Sequence, residues 1–256
     1  MADAQQQVPD MTAHLPHLVA EFKGVKPLHA SRTVRPLIAY PHNTGLVFKI
    51  SEALKGGRLA RAVDRLAAIP ESCDLLAHKP DILPLLNDRS ALRAMPEGSV
   101  GRAYLRFVEA RDLSADGLVA ASEEAPRGRE KSPDERWLAN RLRDIHDLQH
   151  VMCGYGPDEL GELCLLAFMA AQTPNRGISF IIYMGRRQFR RAAPDIPIDD
   201  CVAEGRRIGE AAKWFATVSW EQRLAEPLAQ VRAELGVKPP TAYQQALQVL
   251  AGAAEA

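Results

Sequence analysis

Apolar residues in this chain recur at three- and four-residue steps, and the every-second-residue alternation of strands is nearly absent. There is no repeated run of alternating β-branched residues and no Asn-Gly or Asp-Gly hairpin turn. The pattern predicts an all-α protein. One helix is predicted over 45–54, capped by Asn43 or Thr44 and stopped at Gly56 and Gly57. A second covers 58–68. Pro70, Pro80, Pro84 and Pro96 then cut the chain into short helical pieces, because proline ends a helix. Ser99 caps a further helix over 100–110, and the charged stretch 121–131 reads as a solvated loop.

Ser132, Pro133, Asp134 and Glu135 form the clearest helix start. The serine caps, proline takes the first helical position, the acids meet the helix dipole, and Glu135 reaches back to the cap. Trp137, Leu138, Leu142, Ile145, Leu148 and Met152 continue at helical spacing until Gly154 and Gly156. Pro157, Asp158 and Glu159 open the next helix, which runs through Phe168 towards Gln172. Later helices are predicted over 199–215 and 221–235, the second stopped by Gly236, Pro239 and Pro240, with a short last helix over 243–250. With no internal repeat and no clear linker, the organisation expected is a single helical domain over 13–248 between flexible ends at 1–12 and 249–256.

Composition narrows this picture only a little. The 256 residues are 46% hydrophobic and 25% charged, ordinary for a globular chain. Lys plus Arg equals Asp plus Glu at 32 each, which gives no basic surplus for nucleic-acid binding. Cys73, Cys153, Cys164 and Cys201 form no Cys-x-x-Cys pair, so neither a zinc ribbon nor a thioredoxin-like motif is present. The N-terminus lacks the basic-then-apolar order of a secretory signal, and no apolar run is long enough to span a bilayer. Reduced cysteines in a cytosolic compartment are expected.

The sharpest chemical signal is His146, Asp147 and His150, followed after eleven residues by Glu162. Two histidines four apart stack on one helix face about 6 Å from each other, within reach of a single ion. If the turn centres on Tyr155 and Gly156, an antiparallel hairpin brings Glu162 opposite His150. Nitrogen and oxygen donors together suit zinc, iron or manganese better than copper(I). Other readings stay open on spacing alone. A lone His-x-x-x-His is commonly a surface or core pair. Zinc peptidases use His-Glu-x-x-His, where Asp147 would shorten the reach to water and the gap to Glu162 is small. His-Asp phosphohydrolases would add His78 and Asp195 or Asp199. Cys153 and Cys164 read as small apolar packing residues. The most apolar stretch, 177–184, precedes Arg186, Arg187, Arg190 and Arg191. That order suits an anionic membrane surface, or equally a buried helix with positive charge at its C-terminus.

The signature His-Asp-x-x-His, eleven residues, Glu resembles that of the ubiquinone (coenzyme Q) biosynthesis family named for the fourth Coq protein. The segment from Pro96 to Tyr104 resembles the same family, as do Gly161 to Leu163, Ala171 to Thr173, Gly205 to Gly209, and Trp220 with Glu221. The resemblance covers about residues 90–240. It implies a mostly helical protein in which His146, Asp147, His150 and Glu162 are metal ligands and catalytic residues, with zinc the usual metal and iron or manganese the alternatives. It implies a polyprenylated hydroxybenzoate as substrate, which loses its C1 carboxylate and gains a hydroxyl at a membrane surface. It also implies partnership with other ubiquinone-biosynthesis enzymes, and a scaffold that binds lipid around a structural metal is the alternative role. A homo-oligomer is compatible with this reading. The chain shows no mitochondrial transit segment, so a bacterial protein on the cytoplasmic side of the inner membrane is expected. The stretch 165–169 is more apolar than the family pattern.

Overall fold

In a computed structural model, the protein is described over residues 58–110 and 132–254. The expected N-terminal flexible segment, the helix over 45–54 and the loop over 121–131 lie outside those residues. Among the described residues the fold is all-α, as the periodicity predicts. The elements are α1 (Arg58–Ala67), α2 (Cys73–His78), α3 (Leu83–Asn87), α4 (Arg89–Ala94), α5 (Val100–Glu109), α6 (Pro133–Asp144) and α7 (His146–Cys153). They continue with α8 (Glu159–Gln172), α9 (Arg176–Ala192), α10 (Ile198–Ala211), α11 (Trp220–Arg223), α12 (Leu228–Glu234) and α13 (Thr241–Ala254). Short 3-10 turns stand at Pro70–Ser72 and Phe215–Thr217.

Several predicted boundaries differ from the structure; the helix predicted over 199–215 ends at Ala211, and three further differences have a clear physical reading. The helix opened by Ser132 is two helices, because Ile145 leaves the helical region at φ −84°, ψ 5°, and α7 starts afresh beyond it. The predicted helix over 221–235 is divided at Pro227, whose ring cannot continue a helix, into α11 and α12. The C-terminus, expected to loosen from residue 249, stays helical to Ala254, consistent with the alanines at 251, 253 and 254.

Helix α8 lies at the centre of the core. Leu160, Leu163, Cys164, Leu165, Ala167 and Phe168 are all buried on it, which accounts for its unusually apolar sequence. Helix α10 packs closely against it through Gly205 and Gly209, four residues apart on one face. A Cβ at either glycine would come within 2.5 Å of a backbone oxygen of α8, at Cys164 and Phe168 respectively. Helix α5 crosses α7, and its start is tied to the chain before α12 by bonds from Val100 N–H to Glu226 O (2.9 Å) and Leu228 N–H to Gly98 O (2.9 Å). Phe168, Phe215 and Trp220 pack edge to face beneath α8, with centroids 5.0 and 5.1 Å apart. Arg141, almost fully buried, carries two bonds to Glu221 and one to Val218 O, which fixes α6 against α11.

Candidate metal centre

Helices α7 and α8 form the hairpin that the sequence predicts. Gly154 ends α7 at φ +77°, a left-handed position that glycine adopts without strain. Asp158 caps α8, its side chain accepting from Gly161 N–H at 2.9 Å. The turn is tight enough that a Cβ at Gly161 would lie 2.2 Å from Gly156 O. Within this frame one donor atom each from His146, His150 and Glu162 lies within 4.8 Å of the others. His150 Nε2 is 3.1 Å from Glu162 Oε1, and His146 Nε2 is 3.8 Å from Glu162 Oε2. His150 is buried, whereas the Glu162 side chain is 41% exposed, so the centre opens to solvent along α8. Phe107 of α5 stacks on the His150 ring at 5.2 Å and closes the inner side.

The hydrogen bonds around the imidazoles define the donor set. His150 Nδ1 faces Tyr155 O at 3.3 Å, and a carbonyl only accepts, so a His150 ring that turns its Nε2 lone pair to an ion keeps its proton on Nδ1. His146 Nδ1 likewise faces Asp147 Oδ1 at 3.1 Å. In the neutral rings both Nε2 atoms therefore present lone pairs towards the Glu162 carboxylate. Lone pairs and a carboxylate directed at one point repel unless a proton or a cation stands between them. The side chains thus fit a divalent ion held by His146, His150 and Glu162, with the second nitrogen of each ring fixed from behind. Burial works against a charged His146. The hydrogen bond His146 donates to Asp147 and the negative charges of Glu162 and Asp147 outweigh it and raise the pKa above the ordinary histidine value.

The coenzyme Q (ubiquinone) biosynthesis protein Coq4 family matches residues 28–241 of this chain. The chain belongs to that family. The ubiquinone biosynthesis protein COQ4 homologue of rat mitochondria is 29% identical over 210 residues, covering 81% of this chain and 76% of the rat protein. The human mitochondrial homologue is 25% identical over 225 residues, covering 87% of this chain and 82% of its own. A crystal structure from Nostoc punctiforme, of a protein named for ubiquinone biosynthesis, superimposes with a TM-score of 0.63. It covers 84% of this chain and 99% of its own at 24% identity, a likeness that speaks to the fold alone.

In this Coq4 chain Asp147 stands apart from the other three signature residues, behind His146 as the acceptor for its Nδ1 proton and outside the trio of converging donors. The residues a phosphohydrolase would add are elsewhere. His78 is exposed and bonded to Asp74 O, Asp195 is exposed, and Asp199 pairs with Arg186 and Arg190. Asp147 faces an imidazole rather than the space a peptidase base needs in front of the ligands. Cys153 and Cys164 are buried as packing residues. Burial pushes the Cys153 thiol up, and the Cys201 thiol beside it together with burial pushes Cys164 up, so both stay protonated. The sequence reading missed Phe107 and the Tyr155 carbonyl. A backbone carbonyl leaves no trace in side-chain identity, and Phe107 reads as one more apolar position on α5.

Proposed function

We propose that this chain acts in ubiquinone biosynthesis by metal-dependent removal of the C1 carboxylate from a polyprenylated hydroxybenzoate and hydroxylation of that carbon, at a membrane surface. Family membership supports the pathway, and the convergence of two imidazole lone pairs with the Glu162 carboxylate supports the chemistry. Two histidines and one carboxylate are a donor set shared by catalytic zinc centres and by iron(II) centres that use oxygen. When bound, the ion supplies Lewis acidity towards the carboxylate or phenolate of the substrate. Asp147 keeps His146 in the tautomer that presents Nε2, Tyr155 O does the same for His150, and Phe107 shields the inner ring from water.

The membrane component of the proposal rests on α9. Only Gly177, Ile178 and Ile181 of its seventeen residues are buried, Phe180 and Met184 are half-buried, and Tyr183 is 49% exposed. Asp199 holds Arg186 and Arg190 against α10, so Arg187 and Arg191 are the members of the basic cluster outside that clamp, and both are exposed. An apolar surface flanked by arginine suits an anionic bilayer. No described helix is long and apolar enough to cross a membrane.

The test supplies purified protein, loaded with zinc or iron(II), with a polyprenyl-hydroxybenzoate and oxygen, and measures carbon dioxide release. Release by the wild type that disappears in His150→Ala is the expected result. No release with either metal, together with intact assembly of partner enzymes by His150→Ala, would contradict the enzyme and favour the scaffold.

A further inference from the structure

The turn that sets the spacing between His150 and Glu162 is not held by the hairpin alone. The Tyr243 hydroxyl, from α13, accepts a hydrogen bond from Gly156 N–H at 2.9 Å and donates to Asp158 Oδ2. Both partners lie in the turn, and one hydroxyl joins them. Asp158 in turn caps α8 through its other oxygen, and its carbonyl accepts from Glu162 N–H at 2.8 Å. Glu162 is therefore two hydrogen bonds from Tyr243. On the other side of the turn, the Tyr155 ring packs edge to face on Tyr243 at 5.3 Å, while the Tyr155 carbonyl orients His150. Side chain and carbonyl of one residue thus connect Tyr243 to the buried ligand.

The approach is close on the turn side as well. A Cβ at Gly156 would lie 2.6 Å from the Tyr243 hydroxyl, so the backbone is pressed against that oxygen. Tyr243 is itself anchored. The buried Glu204 of α10 accepts from Thr241 Oγ1 at 2.7 Å and from Ala242 N–H at 2.8 Å, and so holds the start of α13. Arg232 adds a second hold from α12, donating to Val151 O at 2.7 Å and Met152 O at 3.0 Å near the end of α7. A tyrosine whose only duty was packing would need none of the paired bonds to the turn.

We propose that Tyr243 is a positioning residue for the metal centre, a clasp whose hydroxyl holds the turn so that His150 and Glu162 stand at the separation one ion requires. This rests on the metal reading given above. The test titrates zinc and cobalt(II) into wild type, Tyr243→Phe and Trp137→Phe, and records the cobalt(II) visible spectrum and the melting temperature of the metal-free proteins. Trp137→Phe removes a hydrogen bond from α6 to Pro80 O, outside the hairpin, and controls for stability. Tyr243→Phe is expected to weaken metal binding about 10–100-fold, the scale for losing an outer-shell partner, and to alter the cobalt spectrum. Trp137→Phe leaves both unchanged. Equal affinity and an unaltered spectrum in Tyr243→Phe, with only a lowered melting temperature, would reduce Tyr243 to packing. If the wild type takes up neither ion, the metal reading falls, and the clasp is then decided on the metal-free protein. There the nitrogen-15 signals of the His150 ring shift in Tyr243→Phe if the turn releases Tyr155 O, and unchanged signals overturn the clasp.

Discussion

Histidine tautomers are the point at which this protein commits to a chemistry. A carbonyl behind His150 and a carboxylate behind His146 each stand ready to accept a hydrogen bond from Nδ1–H, and each leaves Nε2 aimed at Glu162. Asp147 therefore matters through His146, and Asp147→Ala is expected to lower metal affinity about 10–100-fold while leaving the three donors in place. A competition titration against a chromophoric chelator reads this directly. The same titration run across pH checks a second consequence. With its pKa raised, His146 holds a proton in the metal-free protein to higher pH than an ordinary histidine. That proton stabilises the metal-free fold fully below the unfolded value, and the contribution is lost as pH rises through the folded one. The ion must displace it, so affinity falls as pH drops through the raised value. The sequence made the four residues visible because their spacing is side-chain information. It could not separate Asp147 from the others, since adjacency at one helix position does not say which way a carboxylate turns.

Helices carry this geometry because their ends are well specified. Ser132 and Glu135 form the capping box that the sequence predicts, with bonds of 3.2 and 2.8 Å, and Asp158 begins α8 where its position implies. The hairpin register was legible for the same reason. The break at Ile145 was not, because the apolar period runs on through it without a glycine or proline. The contact between α8 and α10 was also hidden, since a glycine pair on a helix reads first as weakness. Gly205→Ala would place a methyl 2.5 Å from Cys164 O and force the two helices apart. A loss of about 1–3 kcal/mol is expected from such overpacking, measured by urea unfolding, and an unchanged midpoint would show that α10 can shift freely. Because α10 also holds α13 through Glu204, that variant should loosen the turn as well.

Across the described residues, the centre draws on helices from three separate stretches of the chain. Helices α7 and α8 supply the donors, α5 supplies the aromatic lid over His150, and α12 and α13 hold the turn from the C-terminal quarter of the chain. Long-range contacts of this kind, such as Tyr243 to Gly156, have no periodic signature, which is why the donors could be read from the sequence and their support could not. Helix α9, with Arg187 and Arg191 exposed, packs beside α8, and under the proposed function it is the surface on which a prenylated substrate would arrive. All of this depends on an ion being held between His146, His150 and Glu162. The most direct measurement is the metal content of natively purified protein by elemental analysis, for wild type and for His150→Ala and Glu162→Gln. One divalent ion per chain is expected in the wild type and little in either variant, with all three proteins folded. A metal-free wild type that also refuses added zinc and iron(II), or a full complement of metal in both variants, would contradict it.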